Sequence, residues 1–356
     1  MSDNPKEAEK QMEKAIFISA DCWLSVFDLL PPFQLGLGIA MISRRFDYFV
    51  DEHFKTRKWT LQNKIRIRGV FGKNFEREME IVNSDREALP IPQIPLPNKV
   101  IGFGRIMIEY IDNNVFTFLH RFDRLFATFE KKLHIDTSTE DFRAPEIILR
   151  KIWPLFNDTI RLVTFNATAF HYMHQLAPSI LIGCPALRVV GFDGTILPEF
   201  PPDDSANASV GQAVAKWLFS PRPDKLMKVL FIKNTSAVRR WEATVEQIKA
   251  AFSSASSPVP FIILINFRSS SSLFSIEPFE LTNQLTGEEL VLSKDNEKRV
   301  LLIRCPIAAM DWEEEFKKAV GRNNKIGIFI GYYGFDHLWP LRTPGRVVFN
   351  RGMKCD

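Results

Sequence analysis

Residues 160–168 read IRLVTFNAT, residues 187–195 read LRVVGFDGT and residues 227–235 read MKVLFIKNT. Superposed, each has an apolar residue, a base, two aliphatic residues, one variable place, Phe or Ile, two mostly polar places and Thr. Apolar runs of this length suit buried strands. A weaker copy begins near Phe129, with Leu133 and Ile135 as its apolar positions, and residues 259–267 supply a last one. Helical stretches fall between the copies, over residues 144–155, 170–182, 210–219 and 241–252. Strand–helix repetition at such spacing is the pattern of a solenoid, in which each unit buries one face against its neighbours. An ordinary doubly wound α/β domain accounts for the same apolar runs, because its parallel strands are buried too.

The interval between the second and third copies is the longer one and contains LPEFPPDDS at 197–205. That is a loop insertion, and insertions in solenoids gather on one face, often the binding face. Arg161, Arg188 and Lys228 recur at one place in the repeat. Stacked on the strand side, they would form a basic concave stripe for an acidic or phosphorylated ligand, held by charge-assisted hydrogen bonds. Solvated flanking charge is the other reading. Residues 253–257 and 269–272 are serine-rich turns.

From Pro278 the texture changes. Residues 279–283, 289–293 and 299–304 read as three antiparallel strands, joined at Thr286-Gly287 and at Asp295-Asn296. Asp311 and Glu314 form a capping-box pair ahead of a helix through Trp312, Phe316 and Val320. Residues 326–330 give a closing strand, so 271–340 reads as a small α+β unit and 341–356 as a loose tail. Upstream of the repeats, 65–68, 78–83 and 99–111 are extended. Prolines at near-alternate places make 89–97 an extended connector, since proline donates no ladder hydrogen bond. Residues 61–112 therefore read as a strand-containing linker and 113–270 as the repeat region.

The opening stretch, residues 18–59, reads ISADCWLSVFDLLPPFQLGLGIAMISRRFDYFVDEHFKTRKW. Trp23, Leu24, Phe27 and Leu30 fall on one stripe of a short helix. Ser19 is placed to cap it, and Pro31-Pro32 ends it. A second apolar run covers 35–42, and Phe46, Phe49 and Val50 suggest a third helix. Three short helices in about 40 residues seldom make a sufficient core, so part of their apolar surface must face a partner or the rest of the chain.

This stretch resembles an F-box, the helical module that docks substrate receptors onto the Skp adaptor of SCF ubiquitin ligases. Ile18-Ser19 takes the place of the usual Leu-Pro, Asp21 the acidic place, residues 23–27 the helix, and residues 42–46 the later segment. Ser19 stands for proline, Ser43 for cysteine and Phe46 for tryptophan. The resemblance implies adaptor binding through Ile18, Asp21, Trp23, Leu24, Phe27, Leu30, Ile42 and Phe46, with a cullin-RING ligase reached through the adaptor. The repeat region is similar to the divergent leucine-rich repeats that often follow an F-box. The fold class expected is thus α/β: a three-helix F-box-like module at 16–60 behind a charged leader at 1–15, an irregular leucine-rich-repeat-like solenoid, and the closing α+β unit. The implied function is a non-catalytic receptor that holds an unknown protein substrate. A protein-binding scaffold without a ligase role, its opening helices capping the solenoid, is the alternative.

The formal charge is only +4, from 46 basic and 42 acidic residues, which argues against nucleic acid or an anionic membrane surface as partner. Phenylalanine appears 31 times against 5 tyrosines, an excess that speaks for core packing, because buried tyrosine needs a hydrogen-bond partner and phenylalanine does not. Cys22, Cys184, Cys305 and Cys355 are widely separated, which fits a reducing compartment and neither a disulfide framework nor a zinc site. No secretory signal or membrane-spanning run is legible, so a cytoplasmic or nuclear location is expected. His171 and His174 share a helix side without further ligands nearby, and no Walker A loop, dinucleotide fingerprint or nucleophile elbow is present. No catalytic residue, metal or cofactor is expected.

Overall fold

Serine caps start the first and third helices, and proline starts the second. The computed structural model describes residues 18–56, 144–268, 277–296 and 299–306 throughout, the strands and the helix within 59–135, four positions of 314–319, and 326–330. The chain divides into two units, residues 1–61 with 94–101, and residues 62–93 with 102–356. The leader at 1–15, most of the 89–97 connector and the 341–356 tail lie outside the described residues.

In the first unit, α1 (Ala20–Phe27) starts where the Ser19 hydroxyl accepts from the Cys22 N–H. Helix α2 (Pro32–Leu37) carries proline at its start, where the missing N–H costs nothing. Helix α3 (Arg44–His53) is capped by Ser43, which accepts from the Phe46 N–H. Phe27, Phe33, Leu35, Leu37, Ala40, Val50 and Phe54 form the buried core of the unit. Strands β1 (Trp59–Thr60) and β5 (Val100–Gly102) pair as a two-stranded ribbon.

The second unit is mixed α/β. Its strands are β2 (Ile65–Phe71), β3 (Arg77–Asn83), β4 (Ala88–Pro90), β6 (Arg105–Ile108), β7 (Lys131–Ile135), β8 (Ile160–Asn166), β9 (Val189–Asp193), β10 (Lys228–Thr235), β11 (Phe261–Phe267), β12 (Phe279–Asn283), β13 (Glu288–Asn296), β14 (Arg299–Pro306) and β15 (Ile326–Ile330). They form one sheet, in the order β12-β13-β14-β11-β10-β9-β8-β7-β15-β6-β2-β3-β4. From β11 across to β2 every pairing is parallel, and antiparallel strands close both ends. Of the 61–112 region, β2, β3, β4 and β6 therefore belong to the sheet and are not a linker. Likewise β12–β14 extend the same sheet through β14 and β11, and β15 pairs between β6 and β7, far along the sheet from them.

The three sequence copies lie in register: Leu162 opposite Val189, and Val189 opposite Val229. Helices α4 (Asn113–Arg121), α5 (Ala144–Ile147), α6 (Ala167–Leu176), α7 (Val210–Phe219) and α8 (Val238–Ser253) lie between strands in sequence. Strands β7 to β11 are spatial neighbours in chain order, so right-handed crossovers bring α6, α7 and α8 to one face. Period-2 alternation gives that face Val163, Phe165, Val190 and Phe192, and Phe170 of α6 sits with its ring 4.9 Å from both Phe165 and Phe192. The opposite face carries Leu162, Val189, Val229, Phe231, Ile262, Leu264, Leu301 and Ile303, packed with Phe316 and Ala319. Being covered on both sides is what makes these strands read as unbroken apolar runs.

Candidate functional site

The adaptor-facing residues expected from sequence fall into two groups. From Ile18 to Asp28 along α1, the neighbour advances from Arg45 to His53 along α3. Arg45 donates to the Ile18 carbonyl at 3.3 Å, Trp23 meets Phe46 edge-on at 4.8 Å, Phe27 meets His53 at 6.0 Å, and Asp28 lies 3.7 Å from His53. The two helices are thus parallel, and Ile18 and Ile42, each preceding a serine cap, stand at the same end. Phe27 is fully buried and closes the core, so it is not part of an outward surface. Trp23, Leu24, Leu30 and Phe46 are half-buried, and Asp21 is exposed.

What the module does present is Ile18, Val26, Leu29, Ile42 and Tyr48, at 40%, 43%, 84%, 63% and 61% exposure. Sequence reasoning missed Val26, Leu29 and Tyr48. Their signal was present: Val26 and Leu29 are apolar but lie off the Trp23–Phe27 stripe, where a monomeric helix would carry polar side chains. Among the described residues, Asp47 and Asp51 each have one buried oxygen without a hydrogen-bond partner. Burial, and then the neighbouring Asp51, hold the Asp47 carboxyl above the usual carboxylate range.

The basic stripe is corrected by the geometry. Arg161, Arg188 and Lys228 do stack at one register, since Arg188 N–H donates to the Arg161 carbonyl and Val229 N–H to the Arg188 carbonyl. Alternation, however, sets them on the same sheet face as Val163, Val190 and Leu230, beneath the helices. Arg188 and Lys228 are each 4% exposed. Arg188 Nε donates to the Met227 carbonyl at 2.9 Å. Lys228 Nζ donates to the carbonyls of Trp217 and, at 2.5 Å, Ser220, at the end of α7. Burial, then the nearby Arg222 charge, pull that ammonium down to about 7. Lys228 thus anchors the end of α7 and Arg188 the approach to β10, and both are closed to a ligand; Arg161 is half-buried.

A concave site lies elsewhere, at the carboxyl ends of β8 and β9. Helix α6 begins directly after β8, capped by Asn166, whose side chain accepts from Ala169 N–H at 2.6 Å. At the end of β9 the chain turns through Gly194, whose φ of +128° disfavours any side chain. The 197–205 insertion then runs to α7, where Ser209 and Gln212 form a capping box. Together with the first turn of α8 these segments enclose a cleft of about 360 Å³, lined among others by His171, Tyr172, Glu199 and Arg240. His174 faces inward instead, 4% exposed, and burial lowers its pKa. Among the described residues no group of three His, Cys, Asp or Glu side chains is placed to hold a metal ion, and no helix is long and apolar enough to cross a membrane.

No protein-family model matches the chain, and no curated protein matches it.

Proposed function

We propose that the opening helices are an F-box-like docking module, and that the protein is a non-catalytic substrate-recognition subunit of an SCF-type ubiquitin ligase. The observation that carries this reading is the exposure of Ile18, Val26, Leu29, Ile42 and Tyr48 on a small helical unit whose own core is already filled. Five large apolar side chains left in water on so small a unit point to a partner surface. The Ser19 substitution is compatible with the module, because its hydroxyl caps α1 where the usual proline would start the helix. The adaptor then receives Ile18 and Ile42 at one end of the helix pair and Leu29 at the other, with the Trp23–Phe46 contact joining the two helices between them.

In this reading the second unit is a divergent leucine-rich-repeat-like platform. Its support is the chain-ordered parallel run from β7 to β11 with in-register sequence copies. The platform departs from a simple solenoid at β15, which intercalates, and at Phe316 and Ala319, which cover the second face. The protein would act in the cytoplasm or nucleus by proximity alone, raising the effective concentration of a target lysine near a charged ubiquitin-conjugating enzyme.

The test is co-purification of the full chain with the Skp adaptor. Leu29→Asp and Ile42→Asp change exposed residues and leave the core intact, so each should abolish capture while circular dichroism stays native. Phe27→Asp is unsuitable, because it would unfold the module. If wild type captures no adaptor, or both variants capture it undiminished, the docking role is wrong and a scaffold without ligase connection takes its place.

A further inference from the structure

We infer that the cleft at the starts of α6, α7 and α8 binds a small organic anion, a carboxylate or phosphate monoester carried on an apolar body. This goes beyond the docking role and does not depend on it. The place is outside the carboxyl ends of β8 and β9, where α6 begins and the 197–205 insertion leads to α7. At about 360 Å³ the cleft is within the range of small-ligand pockets.

Its lining combines apolar and charged side chains. Ile196, Leu197 and Val210 are apolar and suit the body of a ligand. Arg240, its side chain 55% exposed, donates from Nη2 to Glu199 at 2.9 Å and from Nη1 to the Thr195 carbonyl at 3.4 Å. A guanidinium has five N–H donors, so Arg240 keeps donors for a ligand. Glu199, the carboxylate of the lining, has both oxygens engaged: Oε1 by Arg240, and Oε2 by the Ser209 hydroxyl at 2.5 Å. Gly211 makes this closeness possible, since a Cβ there would lie 2.6 Å from the Glu199 side chain and from the Leu197 carbonyl oxygen.

The balance of charge then favours an anion. Arg240 and Glu199 cancel formally, and each Glu199 oxygen already accepts one hydrogen bond from within the protein. The first amides of α6 and α7 have no carbonyl one turn back to bond. With the positive ends of those helices they add partial positive charge along the floor of the cleft. Thr168, in the first turn of α6, lines the cleft there.

The experiment uses the full chain and isothermal titration with four probes: inorganic phosphate, phenyl phosphate, phenylacetate and benzylamine. Phenyl phosphate or phenylacetate should bind saturably and more tightly than inorganic phosphate, and the stronger of the two identifies the headgroup. Arg240→Ala should weaken that binding by about tenfold or more, and Thr168→Phe, which fills the cleft from α6, should abolish it. Glu199→Gln should keep or tighten it, and Lys249→Ala, further along α8, should leave it unchanged. Thermal midpoints of each variant separate lost binding from lost fold. The proposal is overturned if no anionic probe saturates at millimolar concentration, if benzylamine is preferred, or if folded Arg240→Ala and Thr168→Phe both bind like wild type.

Discussion

Glu288 and Arg304 are 0% and 1% exposed, on neighbouring strands. Glu288 Oε2 accepts from Arg304 Nε at 2.9 Å and Nη2 at 2.6 Å, Oε1 accepts from Val259 N–H at 3.0 Å, and Nη2 also reaches the Ser257 carbonyl at 3.0 Å. A buried pair of this kind adds little over an apolar one, but removing a single partner strands a charge. Glu288→Ala should therefore cost about 3–5 kcal/mol in urea unfolding, while Glu288→Leu with Arg304→Met should recover most of the loss; a cost near zero for the single change would refute this. Lys228 makes a different prediction. Its folded pKa of about 7 lies below the value near 10.4 of an unfolded lysine. Between those values the unfolded chain binds the extra proton, so stability rises with pH. The Cys184 thiol, pushed up to about 12 by burial, acts oppositely above the ordinary thiol pKa near 8.5. The urea midpoint should thus climb from about pH 7 to about pH 8.5, with a smaller slope in Lys228→Met.

At the scale of elements, β9 and β10 fit because Gly191 leaves room for a ring. A Cβ at Gly191 would lie 2.0 Å from Phe231 Cζ, on the strand directly paired with it. Gly191→Ala should cost about 1–3 kcal/mol, and Phe231→Leu should make that cost smaller in a double-mutant cycle; additive costs would show the ring is not the obstacle. Ser209→Ala removes the cap of α7 and should cost about 1 kcal/mol, seen as a lowered thermal midpoint. These elements were largely legible in the sequence. The repeat predicts β8, β9 and β10 in their true register, and the helix expected at 210–219 between two copies is α7. The expected 170–182 helix instead runs Ala167–Leu176, starting at the Asn166 cap. The role of Arg161, Arg188 and Lys228 was misread because recurrence gives the register, whereas the face they occupy follows from where the helices cross. The cleft left no local signal beyond its 197–205 wall, since its other walls come from three separate helix starts.

For the whole molecule, burial of both faces makes the middle of the sheet the last part to open. Amides of β10 and β11 should be the slowest to exchange with deuterium, and those of β12, at the end of the strand order, much faster. Uniform exchange across the sheet would contradict that gradient. Sequence reading failed here for β15, because periodicity reports where a strand is and says nothing about which distant partner it joins. Strands β7 to β11 can each be laid beside the one just made as the chain leaves the ribosome. The gap between β6 and β7 cannot be filled in that way, because its occupant is translated some 190 residues after β7. Until Ile326–Ile330 has been synthesised, two raw edges stand open to any passing strand. A nonsense codon shortly before Ile326 would strand the nascent chain in that sticky state, making it a client for chaperones and a seed for aggregates.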